Sequence, residues 1–133
     1  MILGKFIQVR QDVLYFIARV LVGFMFFMHG TGKLFGWFGG NTVPLGGMFG
    51  VAGVVESLVG LAIVLGVFSR LAAVGGIITM LVAYFVVHLP NGFNPLQNGG
   101  ELAILYFVSF LILLINGNGR WSLEQAALKR EIF

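Results

Sequence analysis

The chain has 133 residues, 59% of them hydrophobic and 10% charged, and its mean hydropathy of +1.00 exceeds what a soluble domain of this size tolerates, because small domains keep much of their surface exposed. Lipid is therefore the expected solvent, and a single membrane domain over residues 1–133 is all that the length allows. Cysteine is absent, which excludes disulfides, thiol redox chemistry and Cys-ligated zinc or iron–sulfur centres, and the net charge of +3 is scattered without the basic block that nucleic-acid binding calls for.

A spanning helix needs about 20 mostly apolar residues, and the charges and Pro/Gly clusters cut the sequence into four such stretches. The first covers 12–35 and carries Arg19, His29 and Lys33. Arg19 interrupts its apolar run and no small-residue cleavage pattern follows, so it reads as a retained helix and not as a cleavable signal peptide. A loop rich in turn formers, with Gly39, Gly40, Asn41 and Pro44, leads to the second helix, 48–68, which carries Glu56. Gly46, Gly50, Gly53, Ser57 and Gly60 lay a stripe of small residues along it, the pattern of a close packing seam.

Ser69 and Arg70 form a short turn into the third helix, 70–89, which Pro90 ends with His88 near its close. A polar, uncharged loop precedes the fourth helix, 101–115, which opens on Glu101. Residues 122–131 predict a short amphipathic surface helix: Ser122 and Gln125 have capping-box spacing, Trp121 suits an interface, and Lys129 and Arg130 suit an anionic inner leaflet. The predicted fold is all-α, an integral membrane antiparallel four-helix bundle with a C-terminal surface helix, short turns forcing neighbours to run in opposite directions.

Orientation follows from the cations. Lys5, Arg10, Arg70, Arg120, Lys129 and Arg130 fall on one side and Lys33 near the other, which predicts a multi-pass protein of the cell membrane with both termini cytoplasmic. At 1.5 Å per residue, His29 and Glu56 lie roughly 9 to 12 Å below the outer boundary. His29 and Lys33, four apart, share a helix face. His88 and Glu101 reach the same rim, so His29, Lys33, Glu56, His88 and Glu101 form one candidate ligand-binding layer.

Each of these residues also has a structural reading. Glu56 can pair with Lys33 to fix helix packing, Lys33 can snorkel to the interface, and His29 and His88 can make ordinary hydrogen bonds. Glu101 stands three residues after Asn98, the spacing of a helix cap, and cap and site are compatible. Arg19 sits towards the cytoplasmic side, where it snorkels or bonds backbone carbonyls.

His29-Gly30-Thr31-Gly32-Lys33-Leu34, Ala52-Gly53-Val54-Val55-Glu56, Leu65-Gly66 with Ser69-Arg70, Asn98-Gly99-Gly100-Glu101 and Gly119-Arg120-Trp121-Ser122-Leu123 together resemble the DoxX family of small four-helix membrane proteins. The resemblance implies that fold and an association with quinone-linked redox chemistry, the family being named after a subunit of a thiosulfate:quinone oxidoreductase, with relatives linked to oxidant and thiol stress. Nothing in the sequence selects thiosulfate.

The leading expectation is an accessory or binding subunit of a membrane redox system that holds a quinone or similar small molecule in its outer half. His29 and Lys33 would donate to a carbonyl, and a desolvated Glu56 is suited to exchanging a proton with the reduced form. Any enzymatic part would be as a subunit of a quinone-linked oxidoreductase, beside a partner redox protein or further copies of the chain. No covalently bound cofactor and no metal are expected. Haem ligated by His29 and His88 is the weaker cofactor reading, two histidines being few. A small transporter or proton conduit and a structural scaffold for a partner enzyme are the alternatives from other classes.

Overall fold

The computed structural model describes residues 2–132, so Met1 and Phe133, the limits of the expected domain, lie outside the described residues. The elements are α1 (Ile2–Val9), α2 (Gln11–Phe35), α3 (Met48–Leu65), α4 (Ser69–Val82), α5 (Pro95–Asn98), α6 (Glu101–Asn116) and α7 (Leu123–Leu128), with no strand among the described residues. Gln11–Phe35, Met48–Leu65 and the run Ser69–Asn91 are long and apolar enough to cross a membrane. α6, with 16 residues, is the shorter fourth apolar helix, about 24 Å at 1.5 Å per residue.

The distribution of residues is that of a chain whose solvent is lipid. Arg19, Glu56, Ser69, Asn118 and Glu124 are buried, while Leu58, Leu71, Ile78, Phe85 and Ile112 face outward. This polarity, with the three long apolar helices, makes the chain a membrane protein.

α2 packs most extensively on α3, α3 on α4, and α4 on α6. The α2–α3 seam is the small-residue stripe expected from sequence, met by a matching stripe on α2. A methyl group built on Gly23 would lie 2.8 Å from Ile63, one on Gly60 would collide with the Phe27 backbone, and one on Gly30 would collide with Ser57 and lie 2.7 Å from the Gly53 carbonyl. Contact positions fall along α3 as they rise along α2. Gly46 lies outside the seam with nothing within 4 Å of its Cβ direction, so the stripe is shorter than its spacing suggested.

α2 and α6 are held apart by aromatic rings. Phe26 packs on Phe110 and Tyr106 with centroids at 4.7 and 5.1 Å, and His29 meets the edge of Tyr106 at 5.7 Å. A gap propped open by rings closes only where rings fill it. Beyond His29 and Tyr106 it is a cavity.

Several boundaries differ from expectation, each for a backbone reason. α3 stops at Leu65, not 68, because Gly66 takes a left-handed conformation (φ 71 at Gly36 and φ 70 at Gly66 close α2 and α3 alike) and Val67 N–H returns to the Ala62 carbonyl at 2.9 Å. α4 accordingly starts at Ser69. It does not run as an α-helix to 89: Ala83–His88 widens into a π-helical turn and Leu89–Asn91 tightens into a 3-10 turn that holds Pro90. Proline has no N–H for the carbonyl four residues back and clashes with it, and the wider turn accommodates both losses. α6 begins at Glu101 as expected and ends at Asn116, one residue beyond the expected 115.

The surface helix is also shorter, Leu123–Leu128 in place of 122–131. Ser122 Oγ caps it by accepting from Gln125 N–H at 3.1 Å, as the spacing suggested. α1 was not anticipated: eight residues with Ile2, Leu3, Phe6 and Ile7 exposed, too short to register as a span.

Candidate functional site

The polar layer is assembled by all four apolar helices. Lys33 lies in the last turn of α2, where the helix dipole favours a cation, and Glu56 faces it from α3. Lys33 Nζ donates to both carboxylate oxygens of Glu56 at 2.7 Å. Their side chains are 28% and 4% exposed, so the carboxylate is the dry partner and the ammonium the one that reaches the rim.

The pair borders a cavity of about 240 Å³ whose polar lining is completed by His29, His88 and Tyr106. Four of the five residues expected from sequence therefore meet at one cavity. The His88 Nδ1 lies 3.3 Å from the Asn98 carbonyl oxygen, which ties the π-turn to the loop before α6. His29 makes the ring contact with Tyr106 and no hydrogen bond among the described residues.

Glu101 is not brought to the cavity lining. It is exposed at the first position of α6. The cap expected before it does not form as a box either: Gly100 is the N-cap, and Asn98 spends its side chain locally, its Oδ1 accepting from Gly100 N–H at 2.7 Å and its Nδ2 donating to Gly92 O at 2.9 Å.

Tyr106 is the site residue that sequence reading missed. It is 6% exposed, in a buried stripe with Ala103, Phe110 and Leu113, and its hydroxyl has no hydrogen-bond partner among the described residues. With no such partner at the cavity wall, the hydroxyl is a donor open to a ligand or to water. The stripe spacing of three and four was the signal in the sequence.

A second polar cluster occupies the opposite end of the helices. Arg19, 1% exposed, donates to the Asn118 and Trp121 carbonyls at 3.0 and 2.8 Å and lies 5.5 Å over the Phe16 ring. This is the carbonyl-bonded alternative for Arg19. Asn118 is the hub: its Oδ1 accepts from Ser69 N–H at 3.2 Å, its N–H donates to Glu131 at 3.1 Å, and its amide donates to buried Glu124. Glu124 N–H reaches the Gly66 carbonyl at 3.2 Å. The C-terminal segment is thus tied to α2, to the start of α4 and to the α3–α4 turn.

Between the two clusters lie Phe26, Ile63, Ala73 and Phe110, each at most 1% exposed. Among the described residues no group of three or more His, Cys, Asp or Glu is placed to hold a metal ion.

Fold and site together define a helical membrane protein with several apolar helices and a buried ion pair at the wall of a cavity between them. The pattern of the DoxX family matches residues 14–89, and the chain belongs to that family. The match takes in His29, Lys33, Glu56 and His88. A protein of Haemophilus influenzae described as uncharacterized is 38% identical over 125 residues, covering 87% of this chain and 93% of its own. A second from the same organism is 30% identical over 119 residues, covering 81% and 79%. An uncharacterized membrane protein of Mycobacterium tuberculosis is 31% identical over 130 residues, covering 84% and 80%. No solved structure matches the chain.

Proposed function

We propose that the chain is a single antiparallel four-helix membrane domain, multi-pass in the cell membrane with both termini cytoplasmic, whose cavity binds a quinone or similar small polar-headed molecule for a membrane redox system. The observation that carries this reading is the unpartnered hydroxyl of Tyr106, 6% exposed, beside the buried Lys33–Glu56 pair. That hydroxyl is an open donor beside a charged pair, the combination that a polar head group would use. The orientation is supported by the six cations at the Arg19 end against Lys33 alone at the other.

The donor set suits a ring carbonyl. The Tyr106 hydroxyl, the His29 ring N–H and the Lys33 ammonium can donate to such an oxygen, while His88, whose Nδ1–H faces the Asn98 carbonyl, turns an accepting Nε2 to a ligand hydroxyl. A quinone, when bound, supplies two-electron, two-proton chemistry. Among the described residues Glu56 accepts only from Lys33, so a ligand hydroxyl that displaces the ammonium would find a carboxylate ready to take its proton. At about 240 Å³ the cavity is below the ~300–1,000 Å³ of drug-sized sites, which suits a single-ring head group. The apolar layer of Phe26, Ile63, Ala73 and Phe110 between the clusters favours binding over a transporter or proton conduit, which needs polar groups through the full thickness.

The test is titration of the purified protein with a tailless benzoquinone. Glu56→Gln and Tyr106→Phe are each expected to weaken binding about tenfold, the loss of one good hydrogen bond to a buried polar group. Affinities indistinguishable from the unsubstituted protein in both variants would sink the assignment.

A further inference from the structure

We infer that the ligand of this cavity is a tailed amphiphile, its head among Lys33, Glu56, His88 and Tyr106 and its single apolar tail along a groove between α3 and α4. The inference rests on the head-group reading above and adds the ligand's second half.

A groove of about 560 Å³ runs beside the cavity and shares four residues with it, Lys33, Glu56, Ala83 and His88. The rest of its wall is hydrocarbon, chiefly Met48, Phe49, Val55, Ile78, Val82 and Val87. Thr79 is the other polar residue there, and its hydroxyl is spent on the Gly75 carbonyl at 2.8 Å. A polar head site therefore passes directly into an apolar slot in helices that face lipid, which is the division of chemistry that an amphiphile presents.

The π-helical turn that accommodates Pro90 sits at this same wall. It covers Ala83–His88, and its two ends are the residues that line both spaces. Single π turns inside α-helices recur at functional sites because they displace side chains without breaking the helix. Here the displaced wall is the one between head and tail. A second space of about 510 Å³ adjoins the cavity through His29, Lys33, Leu102 and Tyr106 and is lined by Met25, Met28 and Phe38 as well as by Gly39, Gly40 and Asn41 of the loop; it is the rival path for a tail, and substitutions in the α3–α4 groove separate the two.

The experiment compares two probes with one benzoquinone head, one bearing a decyl chain and one a methyl group, in the same lipid nanodiscs with concentrations referred to the membrane phase. Ala52→Phe and Ile78→Trp each fill the groove without touching the cavity, and Ile78, being 57% exposed, tolerates a larger side chain. Each is expected to weaken the decyl probe about tenfold while leaving the methyl probe within about twofold, the steric penalty falling on the tail alone. Equal weakening of both probes, or no change in either, overturns the tail groove and leaves the head site standing. Failure of both probes to bind the unsubstituted protein overturns the head-group reading and this inference with it.

Discussion

Lys33→Met is expected to lower stability by about 3–5 kcal/mol, the range for removing one partner of a buried ion pair. The Glu56 carboxylate is 4% exposed and takes its hydrogen bonds from Lys33, so the substitution strands it away from water. The reverse change should be milder. Glu56→Leu leaves an ammonium that is 28% exposed and four methylenes from its backbone, able to reach the rim by snorkelling, and about 1–2 kcal/mol is expected. The double variant Lys33→Met/Glu56→Leu should recover most of the loss, since an apolar pair of similar volume carries no desolvation penalty. Denaturant titration in mixed micelles, run as a double-mutant cycle, measures all three. Equal losses from the two single changes would contradict the asymmetry read from the burial.

Gly60→Leu is expected to be comparably damaging, with no folded protein recovered or a loss above ~3 kcal/mol. The added Cβ would meet the backbone of Phe27, and backbone in a packed helix cannot move aside as a flexible side chain can. Gly46→Leu is the control from the same sequence stripe. With open space around its Cβ it should change stability by less than ~0.5 kcal/mol. Thermal melts of both variants by circular dichroism decide it, and similar melts would show that α2 and α3 do not meet at Gly60.

Much of this was legible in the residues because membrane sequences are written in long apolar runs. The spans around Arg19, Glu56 and Thr79 follow from length and hydropathy, and Gly53, Ser57 and Gly60 announce a close seam by spacing alone. The meeting of His29, Lys33, Glu56 and His88 was also readable, since a charge at membrane depth turns inward. What was not readable is angular. Glu101 and Tyr106 are five residues apart on α6, about 140° around the axis, so one helix cannot present both to the same cavity. The polar residue drew attention, yet the tyrosine occupies the inward stripe with Ala103 and Phe110.

Local backbone chemistry hid the rest. Pro90 signalled a helix end, but whether the chain breaks, kinks or widens before a proline depends on the packing around it, and here it widens over Ala83–His88. Asn98 has the spacing of a cap three residues before Glu101, but it bonds Gly100 N–H directly and so leaves that role to Gly100. Asn118 lies in the connection between α6 and α7. Its use of backbone and side chain together to join Arg19, Ser69, Glu124 and Glu131 depends on contacts across nearly the whole chain, which no local pattern carries.

The central claim is that the cavity beside the Lys33–Glu56 pair is a ligand site. The most direct measurement is photolabelling of the protein in nanodiscs with a benzoquinone carrying a photoreactive group on its ring, followed by mass-spectrometric mapping. Label is predicted on the segments holding His29 and Lys33 and on that holding Tyr106, competed away by unlabelled quinone and reduced in Glu56→Gln. Label confined to lipid-facing residues such as Leu58 and Ile112, or insensitive to competition and to Glu56→Gln, would contradict it.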